Sequence, residues 1–111
     1  MPTPYKTQSV VVANGETSSS EVDLSDLLLC GVYIPAVVEG TTLTFTVSNA
    51  TGGTFLPMWT AASGAVVAYT IDATGCYVAL DPSLFAGVRY VKAVLGSQTG
   101  DVTLTLTLRP A

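Results

Sequence analysis

The sequence predicts an all-β chain: an antiparallel β-sandwich, jelly-roll-like, of about eight to nine short strands with one short helical turn. Three observations predict it. The run Asp101-Val-Thr-Leu-Thr-Leu-Thr-Leu-Arg-Pro110 alternates apolar and threonine residues without a slip. Successive side chains of a strand point to opposite faces, so Val102, Leu104, Leu106 and Leu108 share a buried face. Thr103, Thr105 and Thr107 take the wetter face, as in an antiparallel sandwich. Turn signals recur along the chain at a spacing of ~8–12 residues. No segment carries the apolar spacing of a long amphipathic helix.

Residues 1–7 hold two prolines and no periodicity, and read as an arm preceding a single domain over 8–111. Gln8–Ala13 is the first strand, closed by the turn dipeptide Asn14-Gly15. Ser18–Leu24 is the second, with Val22 and Leu24 inward. Leu28–Ile34 follows, with Gly31 marking a bulge and Pro35 ending the pairing. Thr42–Ser48 repeats the alternation, with Leu43, Phe45 and Val47 on one face. After the Asn49–Gly53 turn, Thr54–Thr60 resumes, and Pro57 marks an edge or a break. Val66–Ile71 and Cys76–Leu80 are the next strands. Asp81-Pro-Ser-Leu-Phe-Ala-Gly87 reads as one helical turn, with Asp81 as cap and Pro82 in the first turn. Val88–Leu95 and the final strand complete the set.

Composition narrows the function. The 111 residues fit one domain, and the area-scaling rule lets such a chain bury roughly 65% of its unfolded surface. Only 11% of residues are charged, against a typical ~25%. The net charge is −4 and the four cations, Lys6, Arg89, Lys92 and Arg109, are scattered, which argues against nucleic acid as a partner. No apolar run approaches the ~20 residues of a membrane helix. The start, Met-Pro-Thr-Pro-Tyr-Lys, lacks the apolar core of a signal peptide, so classical secretion is not expected.

The search for chemistry returns little. Histidine is absent, which removes the commonest general base and metal ligand. The serines have no activating partner in sequence, and no phosphate loop, dinucleotide fingerprint or nucleophile elbow occurs. Asp23 and Asp26 flank a turn, and Asp72, Asp81 and Asp101 are turn or cap residues. Glu21, Asp23 and Asp26 form the densest acidic cluster, but their spacing fits no calcium loop. Cys30 and Cys76 read as two reduced, half-buried thiols, although a bridge would add ~3–4 kcal/mol in the chain-entropy model. Two thiols without histidine fall short of a zinc site. Asn49-Ala-Thr51 is a formal glycosylation sequon that reads as a turn. The expectation is therefore no enzyme, no cofactor and no metal. A sugar site would need exposed aromatics, and among Tyr33, Trp59, Tyr69, Tyr77 and Tyr90 the first to test is Trp59, beside Pro57 and Met58.

Two stretches carry a resemblance. One is Tyr5-Lys-Thr-Gln-Ser-Val-Val-Val-Ala-Asn-Gly-Glu-Thr17 with Val22-Asp-Leu-Ser25. The other is Tyr77-Val-Ala-Leu-Asp-Pro-Ser-Leu-Phe-Ala-Gly-Val-Arg-Tyr-Val-Lys92, closing in Thr105–Pro110. Together they resemble small virion-associated proteins of tailed bacteriophages, whose jelly-roll domains decorate or cement the capsid, often as trimers. The resemblance implies a virion structural protein on the capsid surface, with major capsid protein subunits and copies of itself, as a homotrimer, for partners. It carries over no catalytic or binding residue. Tail, neck or fibre modules share the same texture, and a carbohydrate-binding or adhesion module contacting cell-surface glycan is the other alternative. The arm residues Pro2, Thr3, Pro4, Tyr5 and Lys6 are candidate partner contacts, since a short extended segment can add to an exposed sheet edge.

Overall fold

The alternation of the last strand becomes a ladder at the centre of one sheet. In the computed structural model, which describes residues 6–36, 38–60, 64–72 and 74–110, strand β11 (Val102–Pro110) buries Val102, Leu104, Leu106 and Leu108. Before it come β1 (Lys6–Val12), β2 (Val22–Asp23), β3 (Leu27–Ile34), β4 (Thr42–Ser48), β5 (Leu56–Pro57), β6 (Trp59–Thr60), β7 (Ala65–Val66), β8 (Ala68–Thr70), β9 (Cys76–Ala79) and β10 (Tyr90–Val94). A 3-10 turn at Pro82–Phe85 separates β9 from β10.

All pairings are antiparallel. One sheet has the order β1-β11-β3-β9; the other has β2-β10-β4-β5, with β8 also pairing β4. Leaving aside the short β5, β6 and β7, the remaining strands number 1-8-3-6 in one sheet and 2-7-4-5 in the other. Successive strands thus alternate between the sheets until the chain turns back, which is the interleaving of two Greek keys in a jelly roll. Leu104, Leu106 and Val32 from one sheet meet Leu43, Phe45 and Val91 from the other in a continuous apolar core. Phe85, carried in by the 3-10 turn, packs edge-on against Phe45 at 5.4 Å between ring centres. Asp81 caps that turn by accepting from the Ser83 N–H at 3.0 Å, with Pro82 where its missing N–H costs nothing.

Several expectations change in detail. The first strand starts at Lys6, opposite Leu108, so Lys6 and Thr7 belong to the sheet and not to an arm; Pro2–Tyr5 lie outside the described residues. Ser18–Leu24 does not form one strand. Ser18 makes a single bridge to Val94, the Ser19 hydroxyl accepts from the Ala93 N–H at 3.0 Å, and regular pairing is confined to Val22–Asp23. Thr54–Thr60 splits one residue after Pro57, at the buried Met58, into β5, which pairs β4, and β6, which pairs β7. Val66–Ile71 divides likewise, because Val67 turns into the core and donates to the Met58 carbonyl at 2.8 Å.

The irregularity expected near Gly31 falls one residue earlier. Thr107 faces Gly31 while Leu108 faces Leu29, so Cys30 is the extra residue of a bulge. The insertion changes the alternation of β3, so that Leu29 joins Val32 and Ile34 on the buried side. Thr107 departs from the other threonines of its face. It is buried, because the Tyr77 phenol lies across it and Gly31.

Candidate functional site

Four of the carboxylates, on Glu21, Asp23, Asp72 and Asp101, are occupied in holding loops. The Glu21 carboxylate accepts from the Thr51 hydroxyl and from the Gly52 N–H at 2.9 Å, tying the chain before β2 to the turn after β4. Those bonds, the Thr51 hydroxyl foremost, hold its carboxyl below the usual range. Asp23 takes a bidentate contact from Arg89, 2.6 Å from Nε and 3.1 Å from Nη2, and also accepts from the Ser25 N–H at 2.9 Å. The Arg89 hydrogen bond is the main cause of its lowered pKa. Asp72 accepts from both the hydroxyl and the N–H of Thr74 and is lowered for that reason. Asp101 accepts from the Asn14 N–H at 2.9 Å.

A carboxylate pushed down in this way is a weak base, the opposite of the tuning that acid–base catalysis uses. Glu21 and Asp23 face different partners and do not converge with Asp26. Among the described residues no cluster of three or more His, Cys, Asp or Glu side chains is placed to hold a metal ion.

Cys30 and Cys76 lie in neighbouring strands but far out of register. Cys76 faces Ile34, and Gly31 faces Ala79, so the two cysteines are about four ladder steps, ~13 Å, apart along the strands. A disulfide needs Cα atoms within about 7 Å. Both thiols are free, and burial pushes the Cys30 thiol up.

Exposed apolar surface is concentrated in two places. The first is the strip formed by β5, β6 and β7. Met58 is buried and anchors it, donating to the Phe45 carbonyl at 3.1 Å. Alternation about Met58 turns Trp59 outward, where it pairs across the hairpin with the exposed Val66; Leu56, two residues before Met58 and paired with Val47, is left uncovered, and Leu56 and Trp59 are each 61% exposed. A shallow cleft beside Leu56, about 310 Å³, runs past Val47, Ser48, Asn49 and Val88. A second cleft, about 460 Å³, is lined by Leu27, Leu28, Phe85 and Arg89 among others. Neither brings together a nucleophile and a base.

The second place is the outer face of the β1-β11-β3-β9 sheet. There Tyr33 and Tyr77 pair across β3 and β9, with ring centres 4.5 Å apart and 52% and 45% exposure. The pairing joins residues 44 positions apart in sequence and depends on register, so no local signal reveals it. Sequence reasoning also misses Gln98, which is 2% exposed in the loop before β11. Its side chain accepts from the Glu39 N–H and donates to the Glu39 and Gly96 carbonyls, pinning two loops together.

No family model matches the chain, and no curated protein matches it. Among solved structures it is similar to the crystal structure of the SPBc2 prophage-derived protein YomS. That likeness has 18% identity and a TM-score of 0.58, over 97% of this chain and 96% of that one. Weaker likenesses link it to Bacillus endospore appendages that form disulfide-linked pili (11% identity, TM-score 0.49, 97% and 87% of the two chains) and to Peruvianin-I, a cysteine peptidase from Thevetia peruviana latex (13% identity, TM-score 0.48, 96% and 50%). The first shows a shared fold over the whole length of both chains; the other two bear on neither fold nor function.

Proposed function

We propose that this chain is a non-enzymatic structural protein of a phage-type virion, acting as a decoration or cement protein on the outside of the head. In this reading it is made in the host cytoplasm, seats on major capsid protein subunits and associates with copies of itself, as a trimer around a local threefold. The observation that carries the reading is the fold shared end to end with a prophage-derived protein. The chemistry of the surface supports it. The carboxylates of Glu21 and Asp23 brace loops, and its exposed apolar side chains, Leu56, Trp59 and Val66, suit burial against a partner. A protein that binds the assembled shell better than free subunits stabilises the shell by mass action.

Copy number is the test. Quantitative mass spectrometry of purified particles should find the chain in amounts comparable to the major capsid protein, and particles lacking it should disassemble at lower temperature. A handful of copies per particle would instead favour a tail, neck or fibre component, and absence from particles would sink the virion reading. The partner-contact role of Pro2–Lys6 has its own test: removing residues 2–5, which leaves β1 intact, should lower occupancy on particles. Undiminished occupancy would remove the arm from the account.

A further inference from the structure

We infer that the outer face of the β1-β11-β3-β9 sheet is a binding platform for a neutral polysaccharide, with Tyr33 and Tyr77 as the stacking rings. The inference does not rest on the virion reading, and either can fail without the other.

Four features point to this ligand. The Tyr77 ring is laid down on the sheet. A Cβ at Gly31 would stand 2.0 Å from the Tyr77 hydroxyl oxygen and 2.3 Å from the ring carbon that bears it, so only glycine leaves room for the ring there. The hydroxyl is held 3.0 Å from the Thr107 Oγ1, which lies 3.3 Å from the Gly31 carbonyl oxygen. The ring is thus set against the backbone at Gly31 while the residue stays 45% exposed, in a fixed orientation that a ligand does not have to create.

Tyr33 stands beside it with its ring tilted by 49°. Two adjacent ring faces at different tilts suit successive sugar rings of a chain, which are themselves turned relative to one another. Around the pair the face carries mostly small hydroxyl side chains, with Ala79 and the exposed Val11 as its apolar members. Ser9, Thr105, Tyr33 and Tyr77 lie in one cross-strand row, with Thr7 and Thr107 in the row on one side and Thr103, opposite Val11, in the row on the other. The Ser9, Thr103 and Thr105 hydroxyls bond to no other described residue and are free to meet sugar hydroxyls.

Charge is the third feature. Along the described residues of these four strands the outward positions carry no charge except Arg109 at one rim, so the face selects neither anions nor cations at its centre. Area is the fourth. Four strands at about 4.8 Å spacing, with about three outward residues each, give a footprint of roughly 400 Å². That is about half of what each partner contributes to a stable protein interface. It is ample for a short run of sugar rings.

The test uses the intact chain in native gels cast with soluble neutral polysaccharides (hydroxyethylcellulose, xylan, galactomannan and dextran), followed by calorimetry with an oligosaccharide of whichever retards it. Tyr33→Ala should weaken binding about tenfold or more, the scale of one lost aromatic contact. Tyr33→Phe and Trp59→Ala should bind as the parent does. Tyr77→Ala also uncovers Gly31 and frees Thr107, so Tyr33→Ala, which removes a ring without uncovering Gly31, is the deciding variant, with thermal unfolding measured alongside. Three results would overturn the inference: no retardation by any of the four polysaccharides, binding lost in Trp59→Ala but kept in Tyr33→Ala, or a parent dimer in light scattering that Tyr33→Ala splits. The last result would assign the face to a second copy of the chain.

Discussion

Gln98→Ala should unfold this protein at a markedly lower temperature, although Gln98 touches neither exposed apolar surface. Its amide makes three bonds: Oε1 accepts from the Glu39 N–H at 2.9 Å, and Nε2 donates to the Glu39 carbonyl at 2.9 Å and the Gly96 carbonyl at 2.6 Å. At about 1 kcal/mol net each, their loss costs about 3 kcal/mol. Stranding the Glu39 groups raises the cost, and water entering beside exposed Glu39 lowers it, which gives a range of about 2–4 kcal/mol. For a chain of this size each kcal/mol moves the midpoint by about 4 °C, so Tm should fall by about 8–16 °C. Urea titration followed by circular dichroism measures the same loss as a lower midpoint with an unchanged slope. Ser97→Ala, at an exposed neighbouring position, should change stability by no more than about 0.5 kcal/mol. A loss below about 1 kcal/mol for Gln98→Ala would refute the view that this amide pins the two loops.

Gly31→Ala should cost about 1–2 kcal/mol, because the new methyl group drives the Tyr77 ring off Thr107; in a Tyr77→Ala background the same change should be neutral or stabilise by about 0.5–1 kcal/mol. Equal cost in both backgrounds, measured as a double-mutant cycle, would break the link between glycine and ring. Glu21, Asp23 and Asp72 are all held below the ordinary carboxylate range. Their stabilising contribution is therefore complete above the unfolded-state values, near pH 4, and is lost as pH falls through the folded-state values. Thermal melts from pH 7 down to pH 2 should show Tm dropping only on the acid side, and a flat acid limb would contradict this. Because Cys30 and Cys76 are out of reach of one another, melts with and without dithiothreitol should coincide, and non-reducing mass spectrometry should find two free thiols. Trp59→Ala should leave unfolding by circular dichroism within about 0.5 kcal/mol of the parent, since its side chain stands largely in solvent.

How much of this was legible in the residues depends on how far apart the causes lie. Thr42–Ser48 is legible in full, because seven alternating residues between turn signals leave one strand register that buries Leu43 and Phe45. The Asp81 cap is legible for the same reason: cap and proline are adjacent in sequence. The region 18–24 misleads, because its residues have strand-like alternation yet cross from one sheet to the other. There the Ser19 hydroxyl and the Ser20 N–H are spent on Ala93 and Val11 in place of a regular ladder. The exposed position of Trp59 follows from local alternation about buried Met58. The aromatic pair on the opposite side does not, since it requires knowing that β3 and β9 are neighbours and that a bulge falls at Cys30. The absence of histidine and the turn positions of the aspartates are visible at once, but what those aspartates hold is a matter of loops meeting across the fold.

The placement of β11 has a consequence for how the molecule comes into being. This strand lies between β1 and β3 and pairs with both, yet it is the last strand of the fold in chain order. As the chain is synthesised, β1 waits for a neighbour that emerges after every other strand, and the first sheet has a gap where its middle belongs. Closing that gap pairs Lys6 with Leu108, a contact spanning nearly the whole chain, and such distant pairings are what make folding slow. Until then Val10 and Val12 have no completed core to enter, and the nascent chain is exposed to association along that edge. A protein wired in this way completes the outer face that carries Tyr33 and Tyr77 only when the strand at Val102–Pro110 has entered between the first and the third, whereas the Trp59 hairpin is built from strands that do not pair with it.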